Sequence, residues 1–146
     1  TELRRYTEKN LFVFSVKKMT ISNENGRIGE NIAAEFYEAN GYTVICRNYR
    51  SGHNEIDIIA EDNDSIAFAE VKTRTESPAL LKYGSAKSAV DARKRERLVS
   101  AALDFIKKTK KTKQPRMDVV EIYLDENGRL ARLNYIRCAF GRQEAR

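Results

Sequence analysis

Three residues of this chain could do chemistry together: Asp57, Glu70 and Lys72. They stand in two short runs, Glu55-Ile56-Asp57-Ile58-Ile59 and Phe68-Ala69-Glu70-Val71-Lys72. Each run reads as a β-strand with polar groups at alternate positions in an otherwise apolar segment. Between them lie Asp62-Asn63-Asp64-Ser65, all strong turn formers. A two-residue loop at Asn63 and Asp64 makes the numbers of paired residues total 127. Asp57 then stands opposite Glu70 and Glu55 opposite Lys72, on one face, with opposed Cβ atoms roughly 5 Å apart. Two carboxylates that close repel unless a proton or a cation sits between them. A divalent metal with a nearby lysine relieves the repulsion and supplies hydrolytic chemistry.

The competing reading is plain solvated surface, since alternating charge marks any half-exposed strand. Against it, Ile56, Ile58, Ile59, Ala67, Phe68, Ala69 and Val71 suit strands buried on both faces. Charges set in such a run cost energy and call for a purpose. A slip of one residue in register would separate Asp57 from Glu70.

The elements that must position these residues can be read on either side. A first helix is predicted from about Asn25 to Asn40, with Ser22 or Asn23 near its cap and Gly41 ending it. Ile28, Ile32, Phe36 and Ala39 form its apolar stripe, and Glu30 lies off it, next to Ala33, Ala34 and Tyr37. By itself Glu30 reads as a solvated helix residue. A strand over Tyr42 to Cys46 follows, then a turn through Ser51-Gly52-His53-Asn54 that makes His53 a loop residue. Residues 74–84, with Pro78 and Gly84, read as a surface loop. A second helix is expected from about Ala86 to Lys108, buried along Val90, Leu98, Ala101, Ala102 and Phe105. Lys94 falls on that stripe and must point inward or snorkel. Arg93, Arg95 and Arg97 fan around the same end, and Lys107, Lys108, Lys110, Lys111 and Lys113 follow at the other. Such a run is either a solvated helix end or a phosphate-contacting surface. Met117 to Leu124 reads as a further strand, and Asn127-Gly128 as a type I′ turn into Leu130 to Cys138. The tail 141–146 is polar.

The 146 residues suit one domain with a sizeable core, and 33% charged residues with a net charge of +6 lean toward polyanionic partners. Residues 1–18 carry five basic and two acidic groups, a net +3, so half of that charge sits there. Met19 follows Lys17-Lys18, and residues 1–18 read as an extension outside a domain of residues 19–140. Cys46 and Cys138 have no metal-ligand spacing and His53 is the one histidine, which argues against zinc and for two reduced thiols in a cytoplasmic protein. No apolar run approaches the ~18 residues of a membrane span.

With Glu30, Asp57, Glu70-Val71-Lys72 and Lys94 set on this element order, the chain resembles the PD-(D/E)XK, or restriction-endonuclease-like, nuclease superfamily. More narrowly it resembles the YraN-like family, related to archaeal Holliday-junction resolvases. The likeness covers about residues 25–122, through Gly26-Arg27-Ile28-Gly29-Glu30, Gly41-Tyr42, Arg47-Asn48, the two strand runs, Tyr83-Gly84, Lys94 and Arg116-Met117-Asp118-Val119-Val120. It departs at Ile56, where the superfamily has proline, and at Asn54, where the family usually has glycine. The resemblance implies an α/β fold with an αβββαβ core, a mixed central sheet flanked by helices, and an extra C-terminal strand. It puts the acidic motif on Asp57, the E-x-K pair on Glu70 and Lys72, and the first-helix glutamate on Glu30. Asp57, Glu70 and the Val71 carbonyl would hold Mg²⁺ or Mn²⁺. Lys72 would orient water or stabilise phosphate, Glu30 would help position a second metal or water, and Lys94 with its arginines would contact the scissile strand.

The reading this favours is a metal-dependent DNA endonuclease, acting on branched or otherwise structured DNA, with a C₂ homodimer favoured if the substrate is a two-fold junction. The alternatives are a nucleic-acid-binding accessory module in DNA uptake, repair or recombination with weak or no catalysis, and an interaction domain holding a structural ion. Binding alone needs basic residues and not paired carboxylates, which favours the enzyme.

Overall fold

The computed structural model describes residues 2–7, 25–76 and 92–140. The cap at Ser22 or Asn23, Met19, Val90, most of the loop over 74–84 and the tail 141–146 lie outside them. The elements in chain order are β1 (Glu2–Thr7), α1 (Asn25–Ala39), β2 (Thr43–Ser51), β3 (Asn54–Glu61), β4 (Ser65–Thr75), α2 (Ala92–Thr109), β5 (Gln114–Leu124) and β6 (Leu130–Phe140). The strands form a single sheet of order β1-β6-β5-β4-β3-β2. β2, β3 and β4 form an antiparallel meander, β5 lies parallel to β4 across the α2 crossover, and β6 and β1 continue antiparallel. β1 lies within the segment set aside on sequence, and its pairing with β6 joins it to the sheet.

The helices cover opposite faces. Ile58, Ala60, Ala67, Ala69, Val120 and Ile122 pack beneath α1, and Ile59, Ile66, Phe68 and Val119 pack beneath α2 through Leu98, Ala101, Ala102 and Phe105. With both faces covered, the central strands must be apolar nearly throughout, as their sequences are. The α1 face is broader than the predicted stripe. Ala33, Ala34 and Tyr37 are buried beside Ile28, Ile32 and Phe36, whereas Ala39 is exposed. A helix lying flat on a sheet buries a wide stripe, and small residues at its centre allow close approach. Gly29 marks the tightest point, since a Cβ there would lie 1.7 Å from Thr73 Oγ1. α1 ends as its sequence requires: Gly41 takes φ +85°, Tyr42 N donates to Tyr37 O at 3.0 Å and Gly41 N to Glu38 O at 3.2 Å.

Three expectations need correction. β2 runs on to Ser51, because it pairs with β3 all the way to the Gly52-His53 turn. β4 continues through Arg74 to Thr75, because β5 supplies a parallel partner along its whole length. The β5–β6 turn is not type I′, which needs positive φ at both central residues. Only Gly128 has it, at 74°, and Asp125 closes a three-residue loop by accepting from Asn127 N and Arg129 N at 2.8 and 2.9 Å.

Candidate functional site

The β3–β4 hairpin has the register its turn dictates. Ile58↔Ala69, Ile59↔Phe68, Ala60↔Ala67 and Glu61↔Ile66 are paired, and Asp62 N donates to Ser65 O at 3.0 Å across Asn63-Asp64. Asp62 Oδ1 locks the turn by accepting from the backbone nitrogens of Asp64 and Ser65 at 2.9 and 2.7 Å. The ladder stops one step before Asp57 and Glu70. There the Asp57 carboxylate replaces the backbone, with Oδ2 accepting from Val71 N at 2.8 Å. Side-chain alternation fails at the same point: Ile56 and Ile59, three residues apart, both pack on the α2 side. Glu55 therefore never comes opposite Lys72 as expected. It lies by Arg50 of β2, with Arg50 Nη2 3.9 Å from Glu55 Oε2.

The departure of β3 makes room for charge. Burial first and the Glu70 carboxylate next, with Glu30 and Glu55 pushing the same way and the Val71 N–H opposing them, together raise the Asp57 pKa to about 7. Glu70 is 7% exposed and accepts the ammonium of Lys94, which snorkels from the first described turn of α2. Lys72 follows Glu70 on the strand, and its pKa is lowered by burial first and Lys94 next, against the pull of Glu70 and Glu121. Glu121 is its neighbour on β5, buried at 6% exposure and accepting the Tyr123 hydroxyl at 2.9 Å. Sequence reading passed over Glu121, because an acid in an unmarked strand shows nothing until the parallel register sets it beside Lys72.

Glu30 reaches the same region from α1. Arg47 Nη2 stands 4.0 Å from Glu30 Oε2 and donates to Asn31 Oδ1 at 2.6 Å. Asn48, with its amide nitrogen turned to donate, reaches Glu30 Oε2 at 3.3 Å and Glu55 Oε1 at 3.2 Å. The only sequence signal for Asn48 was its place in the Arg47-Asn48 match.

The predicted basic residues divide into two groups. Arg93, Lys94, Arg95 and Arg97 are exposed at the Glu70 end of α2. Lys107, Lys108, Lys110, Lys111 and Lys113 lie at or beyond its other end, with Lys107 roughly 20 Å from Lys94 along the axis at 1.5 Å per residue. Lys108 pairs with Asp104 at 3.1 Å. Lys111 and Lys113 clamp Glu61 at 3.0 and 3.4 Å, and Lys113 also donates to Asp62 O at 2.7 Å, so these two hold the hairpin tip. A cleft of about 190 Å³ lined by Phe36, Tyr37, Tyr42 and Tyr135 opens on the α1 side of the sheet, away from Glu70 and Lys72.

Among the described residues no three of His, Cys, Asp and Glu converge as a ready metal cage. The donors at hand are two carboxylates and a strand carbonyl. Within a strand a residue's N–H and C=O face the same neighbour, so the Val71 carbonyl lies on the edge toward Asp57. No described helix is long and apolar enough to cross a membrane.

A helix-flanked mixed sheet whose central hairpin opens around Asp57, Glu70 and Lys72 is the restriction-endonuclease-like α/β fold. Residues 29–122 match the family described as "Uncharacterised protein family UPF0102". The chain is 43% identical over 107 residues to a UPF0102 protein of Chloroherpeton thalassium, covering 73% of this chain and 80% of that one. It is 42% identical over 117 residues to one of Desulfosudis oleivorans (79% and 88% covered) and 36% over 128 residues to one of Solibacter usitatus (86% and 92% covered). The chain belongs to the UPF0102 family, a PD-(D/E)XK nuclease-like family.

Proposed function

We propose that this protein hydrolyses phosphodiester bonds of DNA with Mg²⁺ or Mn²⁺, as an endonuclease on branched or otherwise structured substrates. The observation that carries the reading is the Asp57–Glu70 pair at the opening of β3 from β4, with Asp57 pushed up to about 7 by burial and by its neighbour. The donors suit a hard divalent cation, and the Lys94 ammonium already answers the charge of Glu70. Asp57, Glu70 and the Val71 carbonyl would hold the ion. When bound, it would activate water and offset charge building on the phosphate. Lys72, held near Glu70 and Glu121, would orient the attacking water or donate to a phosphate oxygen. Glu30 supplies a further acceptor for water at the rim, and Arg93, Arg95 and Arg97 offer contacts to the backbone, which read shape and not sequence.

One observation favours a second reading, an accessory nucleic-acid-binding module with weak or no catalysis: Glu70 accepts the ammonium of Lys94, so its charge has a partner within the chain. The deciding assay presents purified protein, with Mn²⁺ or Mg²⁺, to single-stranded, duplex, flap and four-way-junction DNA. Cleavage by the wild type and none by Asp57→Asn supports the enzyme. No cleavage of any substrate with either metal defeats it. Selective cutting of the four-way junction should come with a two-fold dimer.

A further inference from the structure

β2 carries an irregularity aimed at the same site. Its ladder with β3 pairs Arg47 with Ile58 and Tyr49 with Ile56, and the step between them is missing. The residues that would fill it are Asn48 and Asp57. Asn48 has φ +52°, a left-handed backbone that side-chain-bearing residues rarely adopt inside a strand. Asparagine tolerates that conformation better than most, yet glycine would adopt it without strain. Strain of this kind persists only where the surroundings enforce it, and it gathers at functional sites.

The side chain shows what the strain achieves. The end of the side chain lies 3.3 Å from Glu30 Oε2 on α1 and 3.2 Å from Glu55 Oε1 on β3, and because both are acceptors the amide is assigned with its nitrogen toward them, one NH₂ group donating to two carboxylates from two elements. An amide is suited to this, since it donates two hydrogens without adding charge. Arg47, next in sequence, approaches the same Glu30 oxygen and holds Asn31 one residue along. α1 is meanwhile pressed on β4 at Gly29 and Thr73, so Glu30 is fixed from below and tied from the side.

We propose that Asn48 is a positioning residue of the carboxylate site: its left-handed backbone, directly across from Asp57, turns the amide to hold Glu30 and Glu55 at the rim. It acts through those carboxylates and not on substrate, and this role rests on the hydrolytic reading above.

Asn48→Gly is the informative variant, because it keeps the backbone conformation and deletes the amide. Single-turnover and steady-state cleavage should show kcat down at least about tenfold, with KM within a factor of about two. Asn48→Asp, which adds a carboxylate where the amide was, should fall further. A second measurement does not need activity: urea midpoints of the metal-free wild type, Asn48→Gly, Glu30→Gln and the double variant. Tied residues give non-additive midpoints, since either change alone removes the bond. Additive midpoints overturn the tie whatever the activity, and a wild-type kcat in Asn48→Gly overturns the positioning role. A wild type that cuts nothing defeats the hydrolytic reading instead, and the midpoints alone then decide whether Asn48 holds Glu30.

Discussion

Two acidic clusters sit on one sheet, and they are finished to very different degrees. On the α1 side Asp118 is fully buried yet accepts four hydrogen bonds. Arg116 Nε and Nη2 donate at 2.8 and 3.0 Å, and the hydroxyls of Tyr37 and Tyr135 each donate at 2.8 Å. Arg116 also reaches Tyr42 and Ser65, at 2.8 and 3.2 Å, so one ion pair links α1, the start of β2, the hairpin and both C-terminal strands. Burial, then the Asp118 charge, pushes the Tyr37 and Tyr135 pKa values up, which keeps both hydroxyls protonated as donors. At the β3–β4 opening Asp57 has, among the described residues, one hydrogen-bond donor, Val71 N, and a neighbouring carboxylate that repels it. A buried acid that accepts from four donors is a structural tie. One left short of partners beside another acid is built to take something more, and that contrast supports the proposed chemistry.

The largest effects should separate the clusters cleanly. Asp118→Ala leaves Arg116 buried without its partner and should destabilise the fold by about 3–5 kcal/mol in urea titrations. Glu70→Gln should leave the urea midpoint near wild type while cleavage drops by about 10³-fold or more, roughly 4 kcal/mol of transition-state stabilisation. A Glu70→Gln protein that unfolds as readily as Asp118→Ala would erase the distinction between tie and site.

Lys72→Met should come next. It keeps most of the stem and removes the ammonium, so packing survives. Cleavage should drop by about 10²-fold, near 2.7 kcal/mol, with little change in substrate affinity. A loss confined to affinity would make Lys72 one more phosphate contact.

A smaller effect follows from pH. In the unfolded chain Asp57 titrates at its ordinary 3.8, and in the metal-free fold at about 7. Between those values the fold holds a proton that the unfolded chain has released. Stability from this group is therefore present below about pH 4 and is lost as pH rises through 7. Asp57→Asn, whose amide oxygen still accepts from Val71 N, should be more stable than wild type at pH 8 in EDTA and no different at pH 4. Equal slopes of stability against pH in the two proteins would show that the fold does not raise the Asp57 pKa.

The smallest effect tests the two ends of α2. Each of Arg93, Arg95 and Arg97 that contacts a duplex phosphate should, when neutralised, reduce the log–log salt slope of binding by roughly 0.9. Neutralising Lys111 and Lys113 should loosen the hairpin by about 1 kcal/mol and leave the slope unchanged, because both already serve Glu61. A slope that follows the lysines would move the nucleic-acid surface to the hairpin tip.

What the sequence by itself determined was local. Asn63-Asp64 between two apolar runs set the hairpin register, since a two-residue loop allows one pairing and turn chemistry acts over four residues. Gly41 ended α1, and helical spacing picked out Ile28, Ile32, Phe36, Leu98 and Phe105 as buried. The tertiary structure alone decided who answers each charge. Lys94 meets Glu70, Lys111 meets Glu61 and Tyr37 meets Asp118 across 24, 50 and 81 residues of chain, through the packing of helices on opposite faces of the sheet. It also decided that β3 leaves β4 at Asp57 and that Asn48 turns left-handed beside it. Period and turn chemistry carry no information about either event, because each depends on the partner that a strand meets on its other side.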